Sequence, residues 1–196
     1  MSGEGVDLEN FEGIEGLAAA YTEIARRERE RFIKNWEWQI ADHEQKLTTG
    51  DPREKMLAKE RIPQLKKELE ELRTDPIVPK FEQSPGDLKP QRLAELNVNA
   101  ERFSEAAVRV FEELKASNDA VEVELDYEER FGDTCEMVPI TDGAYLAKTM
   151  IVQPEDYGQY LSVVHPVSRE MAMRAMEKKA AELESKLAKL KEFLAA

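Results

Sequence analysis

The chain has 196 residues, 41% hydrophobic, 35% charged and only 7% aromatic, a balance suited to charged helices rather than to a large aromatic-lined pocket. Its net charge of −13 argues against a surface that holds nucleic acid or anionic membrane, because phosphate contact needs Lys and Arg on one face. The lone Cys135 leaves no intrachain disulfide and points to a reducing, cytoplasmic setting. No run approaches the roughly 18 apolar residues of a membrane span.

Residues 1–15 read as a disordered acidic lead without the apolar core of a signal peptide. A helix follows from about Gly16 to Leu47, with Leu17, Tyr21, Ile24, Phe32, Ile33, Trp36, Ile40 and Leu47 as its apolar positions. The run Arg26 to Arg31 interrupts that stripe and reads as a solvated face, with a basic docking patch as the sharper alternative. Thr48-Thr49-Gly50 breaks the helix. Asp51-Pro52-Arg53-Glu54 restarts it with an N-cap, a proline at the first helical position and a capping-box glutamate. The second helix carries Ala58, Ile62, Leu65, Leu69 and Leu72 on one stripe to about Arg73, with Pro63 expected to kink or divide it. The short connection makes residues 16–73 an antiparallel helical hairpin.

Pro76, Pro79, Pro85, Gly86 and Pro90 mark residues 74–89 as a Pro-rich linker. A helix from Pro90 to about Ser117 then carries Leu93, Leu96, Ala100, Phe103, Ala107, Val110 and Leu114. These advance in alternating steps of three and four, the a/d seam of a coiled coil. A second seam of equal length reads Met173, Met176, Ala180, Leu183, Leu187, Leu190, Leu194. Equal length predicts that the two seams pair with each other, antiparallel, within one chain or between two.

Four strands are expected between them. Val121, Val123, Leu125 and Tyr127 alternate with Glu122, Glu124, Asp126 and Glu128, a strand with one wet face. That acidic row reads as solvated rather than metal-binding, since no Asp-x-Asp-x-Asp-Gly loop is present. Arg130 to Asp133 turns the chain into strands at about 134–140 and 144–152, joined by Thr141-Asp142-Gly143, a strong hairpin signal. A fourth strand, about 157–164, precedes His165-Pro166, and Ser168 caps the final helix. Isolated hairpins are marginal in water. The strands are therefore expected to pair with other subunits or to pack on residues 16–73.

No phosphate loop, nucleophile elbow or His-Glu-x-x-His motif occurs. His43, His165 and Cys135 do not make a zinc set and read as structural. No enzyme activity, cofactor or metal is expected.

The order helix, two hairpins, helix resembles the alpha-type subunits of prefoldin over residues 90–196. Val138-Pro139-Ile140, Gly143, Tyr145-Leu146 and Ile151-Val152 look like the path into that family's hairpins. Tyr160 and the Ser168-capped helix with Ala172, Met176 and Glu177-Lys178-Lys179 look like the path out. The resemblance implies an α+β, mostly helical fold, with an antiparallel coiled coil holding a β-hairpin insert, preceded by the helical hairpin. It further implies a chaperone or assembly subunit that oligomerises through its hairpins. Protein clients, unfolded chains among them, would be gripped by apolar residues at the coiled-coil tips: Leu93, Leu96, Leu190, Phe193 and Leu194. Two other readings fit the acidic helices: a structural or scaffold subunit of a larger particle such as a virus or phage, and an acidic inhibitor that mimics nucleic acid.

Overall fold

The computed structural model describes residues 6–75, 88–125, 133–140, 144–152 and 160–195. The chain is mostly helical, with one four-stranded antiparallel sheet. It divides into two compact units, Met1–Ala20 with Lys80–Ala196, and Tyr21–Pro79. The linker prolines Pro76, Pro79 and Pro85, the expected turn Thr141–Gly143, and Arg130 to Gly132 of the expected turn Arg130–Asp133 lie outside the described residues, and Asp133 belongs to a strand.

The Tyr21–Pro79 unit holds helix α1 (Gly13–Thr49) from Tyr21 onward, followed by α2 (Pro52–Thr74). Asp51 accepts hydrogen bonds from the Arg53 and Glu54 amides, while the Glu54 carboxylate accepts from the Asp51 amide, a complete capping box. Ile40, Leu65 and Leu69 form the buried contact, flanked by Ile33 and Trp36. Lys66 pairs with Glu44 at 2.8 Å and Arg73 with Glu37 at 2.7 Å. The numbers fall along α2 as they rise along α1, so the helices run antiparallel. Pro63 lies within one unbroken α2.

In the other unit the acidic lead is not frayed where it is described. Leu8 and Phe11 are buried, the Phe11 ring meets Phe103 with centroids 5.6 Å apart, and Glu9 pairs with Arg102 at 2.8 Å. Two apolar side chains outweigh the charge around them, because each gains about 2 kcal/mol on burial. Gly13, at φ 65°, turns the lead into α1 in a conformation that only glycine adopts freely.

The expected helix from Pro90 to Ser117 is two helices, α3 (Pro90–Glu95) and α4 (Ala100–Ser117). The break is a Schellman motif: the Asn97 amide donates to the Ala94 carbonyl, and the Val98 amide to that of Leu93. Asn97 occupies the left-handed position at φ 56°, which asparagine tolerates. Asn99 then caps α4 by accepting from the Arg102 amide.

Strands β1 (Val121–Leu125), β2 (Asp133–Pro139), β3 (Tyr145–Val152) and β4 (Tyr160–Val167) form a sheet in the order 1-2-3-4. The strands find their partners in one another, with Val123 opposite Cys135, Cys135 opposite Thr149, and Thr149 opposite Val163. His165 and Pro166 lie inside β4 rather than beyond it. An edge strand accommodates the proline because its missing N–H costs no ladder bond.

Each sheet face has its own helix. On one, Lys115 of α4 bonds Glu136 at 2.6 Å. Lys148 there pairs with Glu112 and sits over the Phe111 ring. On the other, Val123, Leu125, Cys135, Met137, Ala147 and Val167 pack with Ala172 and Ala175 of helix α5 (Arg169–Ala195). The expected coiled coil between the two seam helices is therefore corrected: the sheet lies between them. The physical reason is the width of the α4 stripe. Phe103, Ala106, Ala107, Val110 and Phe111 are all buried, a broad face that fits a flat sheet better than a two-position seam fits another helix.

Candidate protein-binding surface

Helix α5 begins inside the core and runs out of it. Ser168 caps its start, its hydroxyl accepting from the Met171 amide at 3.2 Å. Ala172 and Ala175 are buried, and Met171 and Met176 pack beside them. Every residue from Ala181 to Leu194 is exposed. Eleven residues are close to three helical turns, so Leu183 stands over the side of Ala172 and Leu187 over that of Met176. The stripe buried at the start of α5 thus continues into solvent on the same side of the helix.

Leu183, Leu187, Leu190, Phe193 and Leu194 are 54%, 52%, 61%, 84% and 88% exposed. Scattered exposed apolar residues are ordinary, but a contiguous row marks an interaction surface. The row is flanked by Glu184 and Lys191 on one edge and by Lys186 on the other.

The five expected tip residues separate. Leu190, Phe193 and Leu194 lie on this exposed row, whereas Leu93 and Leu96 are buried at 0% and 4%. The last two are corrected as contact residues: they close the α3 turn into the core and offer nothing to a partner. Leu183 and Leu187 join the surface instead. Their heptad spacing was visible, but it implied a cover from α4 that the sheet prevents.

Other candidate features serve the fold. Arg26 pairs with Glu23 and Glu30, and Arg27 with Glu23 at 2.9 Å, while Arg29 donates to the Asp75 carbonyl at the end of α2, so these arginines of the basic run serve the helical hairpin itself. The Arg26 guanidinium first, with help from Arg27, holds the Glu23 carboxyl down at about 2. Glu124 of the acidic strand row meets Lys178 at 3.2 Å. Among the described residues, no three His, Cys, Asp or Glu side chains gather to hold a metal ion, and no helix is long and apolar enough to cross a membrane. Cys135 is buried at 2%.

Compared with protein-family models, curated proteins and solved structures, the chain gives no match.

Proposed function

We propose that this protein is a non-enzymatic assembly or chaperone subunit that engages a protein partner through the overhanging half of α5. The observation that carries the reading is the continuous exposure of Leu183, Leu187, Leu190, Phe193 and Leu194 on a helix whose other end is fixed in the core. Covering each of these side chains is worth roughly 1–2 kcal/mol, given their half to nearly full exposure. A helical segment of this length is marginal by itself in water, so a partner that buries the stripe also stabilises the helix.

The proposal retains from the prefoldin-like order a helix on either side of four strands. It leaves out a grip between paired helices, because Leu93 and Leu96 are unavailable. The mode is an amphipathic helix read by a complementary apolar surface.

The test is recovery of partners from the native source with the intact protein and with a Leu187→Asp, Leu190→Asp variant, followed by mass spectrometry. Specific partners lost by the variant support the reading. An identical set recovered by both removes it.

A further inference from the structure

Resting on that reading, we infer that the partner of the α5 overhang is a second copy of this chain, packed antiparallel, with Leu183 against Leu194 and Leu187 against Leu190 of the other copy. Two observations select this arrangement.

The first is charge. With those layers, the flanking positions place Glu184 beside Lys191 of the second copy, twice by symmetry. Lys186 falls beside Phe193 of the second copy, also twice. All four flanking pairs are favourable: two opposite-charge pairs and two lysine stems laid along an aromatic ring. Phe193, which falls outside the a/d seam, thereby acquires a role as the cover of the seam's flank. Sliding the helices by one heptad towards the core stacks Glu184 on Glu184 and Lys186 on Lys186 across the two-fold axis. A parallel dimer places Lys186 beside Lys191. Like charges in these positions are disfavoured.

The second is occlusion. The slid register needs Met176 as a layer, and Met176 already packs against the sheet core. The proposed register uses only Leu183 to Leu194, all exposed, and places the two folded cores at opposite ends of the seam.

The contact is short. Leu183 to Leu194 spans about 17 Å at ~1.5 Å per residue, which puts the interface at the low end of specific contacts, below ~1,200 Å². The dimer is therefore weak and reversible, forming in the micromolar range and above.

Sedimentation velocity of the full chain over a concentration series tests this. The wild type should shift from monomer to dimer. Lys191→Glu should weaken the dimer roughly tenfold by replacing two attractive pairs with two repulsive ones. Glu184→Lys should do the same, and an equimolar mixture of the two variants should restore dimerisation, because every Glu then meets a Lys. A parallel pairing would instead be strengthened by Lys191→Glu, and that result overturns the proposal. So does a wild type that stays monomeric throughout. Circular dichroism of each variant verifies that the exposed changes leave the fold intact. If the purified chain is monomeric while Leu187→Asp, Leu190→Asp still loses partners from the native source, self-pairing fails and the docking helix stands. If the chain is monomeric and that variant also loses none, both readings fail.

Discussion

The imidazole Nε2 of His165 lies 3.1 Å from the Thr149 hydroxyl, and both side chains are buried in the sheet. His165 Nδ1 faces the Pro166 carbonyl at 3.3 Å. A carbonyl only accepts, so Nδ1 carries the proton and Nε2 accepts from Thr149. Burial holds the imidazole neutral and pushes its pKa down to about 4, against the smaller upward pull of the Pro166 carbonyl.

The sign of the pH effect follows. In the unfolded chain His165 takes up a proton near pH 6.5, whereas in the folded chain it does so only near 4. Its contribution is complete above about 6.5 and is lost as pH falls towards 4. Urea unfolding at pH 7.5 and pH 5.0 should differ by about 2 kcal/mol from this group. His165→Gln should flatten that difference; an unchanged pH slope would assign it to other groups.

Leu93 and Leu190 were equivalent as seam residues and should behave oppositely. Leu93→Ala opens a cavity in a fully buried site and should cost about 2–5 kcal/mol. Leu190→Ala, at 61% exposure, should stay within about 0.5 kcal/mol in the monomer. Equal losses in urea titrations at low protein concentration would mean that α5 is covered within the chain.

The α1–α2 connection depends on two adjacent residues. Asp51→Ala removes the cap and should cost about 1 kcal/mol. Gly50→Ala should cost more, because an added Cβ would lie 2.5 Å from the Lys46 carbonyl oxygen, a backbone atom with little room to yield. Thermal unfolding of the two single variants gives the order.

The charges under α4 form a connected set. Lys148 bridges Glu112 and Glu136, and Lys115 bonds Glu136. Lys115 first and Lys148 second hold the Glu136 carboxyl below its ordinary value. Its contribution is present above about pH 4.5 and is lost as pH falls below that. Lys148→Met should cost about 1 kcal/mol at pH 7, since the carboxylates remain partly solvated, and the loss should shrink in acid. A cost that is the same at pH 7 and pH 3.5 would place the role of Lys148 in packing on Phe111.

Local signals were legible where the chemistry was local. Asp51-Pro52-Arg53-Glu54 and Ser168 act as caps because a cap needs only residues three positions apart. The alternation from Val121 to Leu125 specifies a strand by itself. The Asn97 turn carried a signal in Leu96-Asn97-Val98-Asn99, outweighed by a seam that continued across it. The lead gives no such signal, because Leu8 and Phe11 are only two apolar residues and a period needs more repeats to show.

By itself, then, the sequence determined helices, strands, caps and an apolar stripe on α5, all consequences of backbone periodicity and near-neighbour hydrogen bonding. Only the tertiary structure decided what each stripe faces. A heptad row records that one side of a helix is apolar and carries no address for its cover. Ala106 and Phe111 widen the α4 stripe enough to lie on the sheet, and Ala172 and Ala175 let α5 approach the other face closely. Once the sheet stands between the two helices, the distal leucines of α5 have no partner in α4, and the candidate binding surface results from that separation.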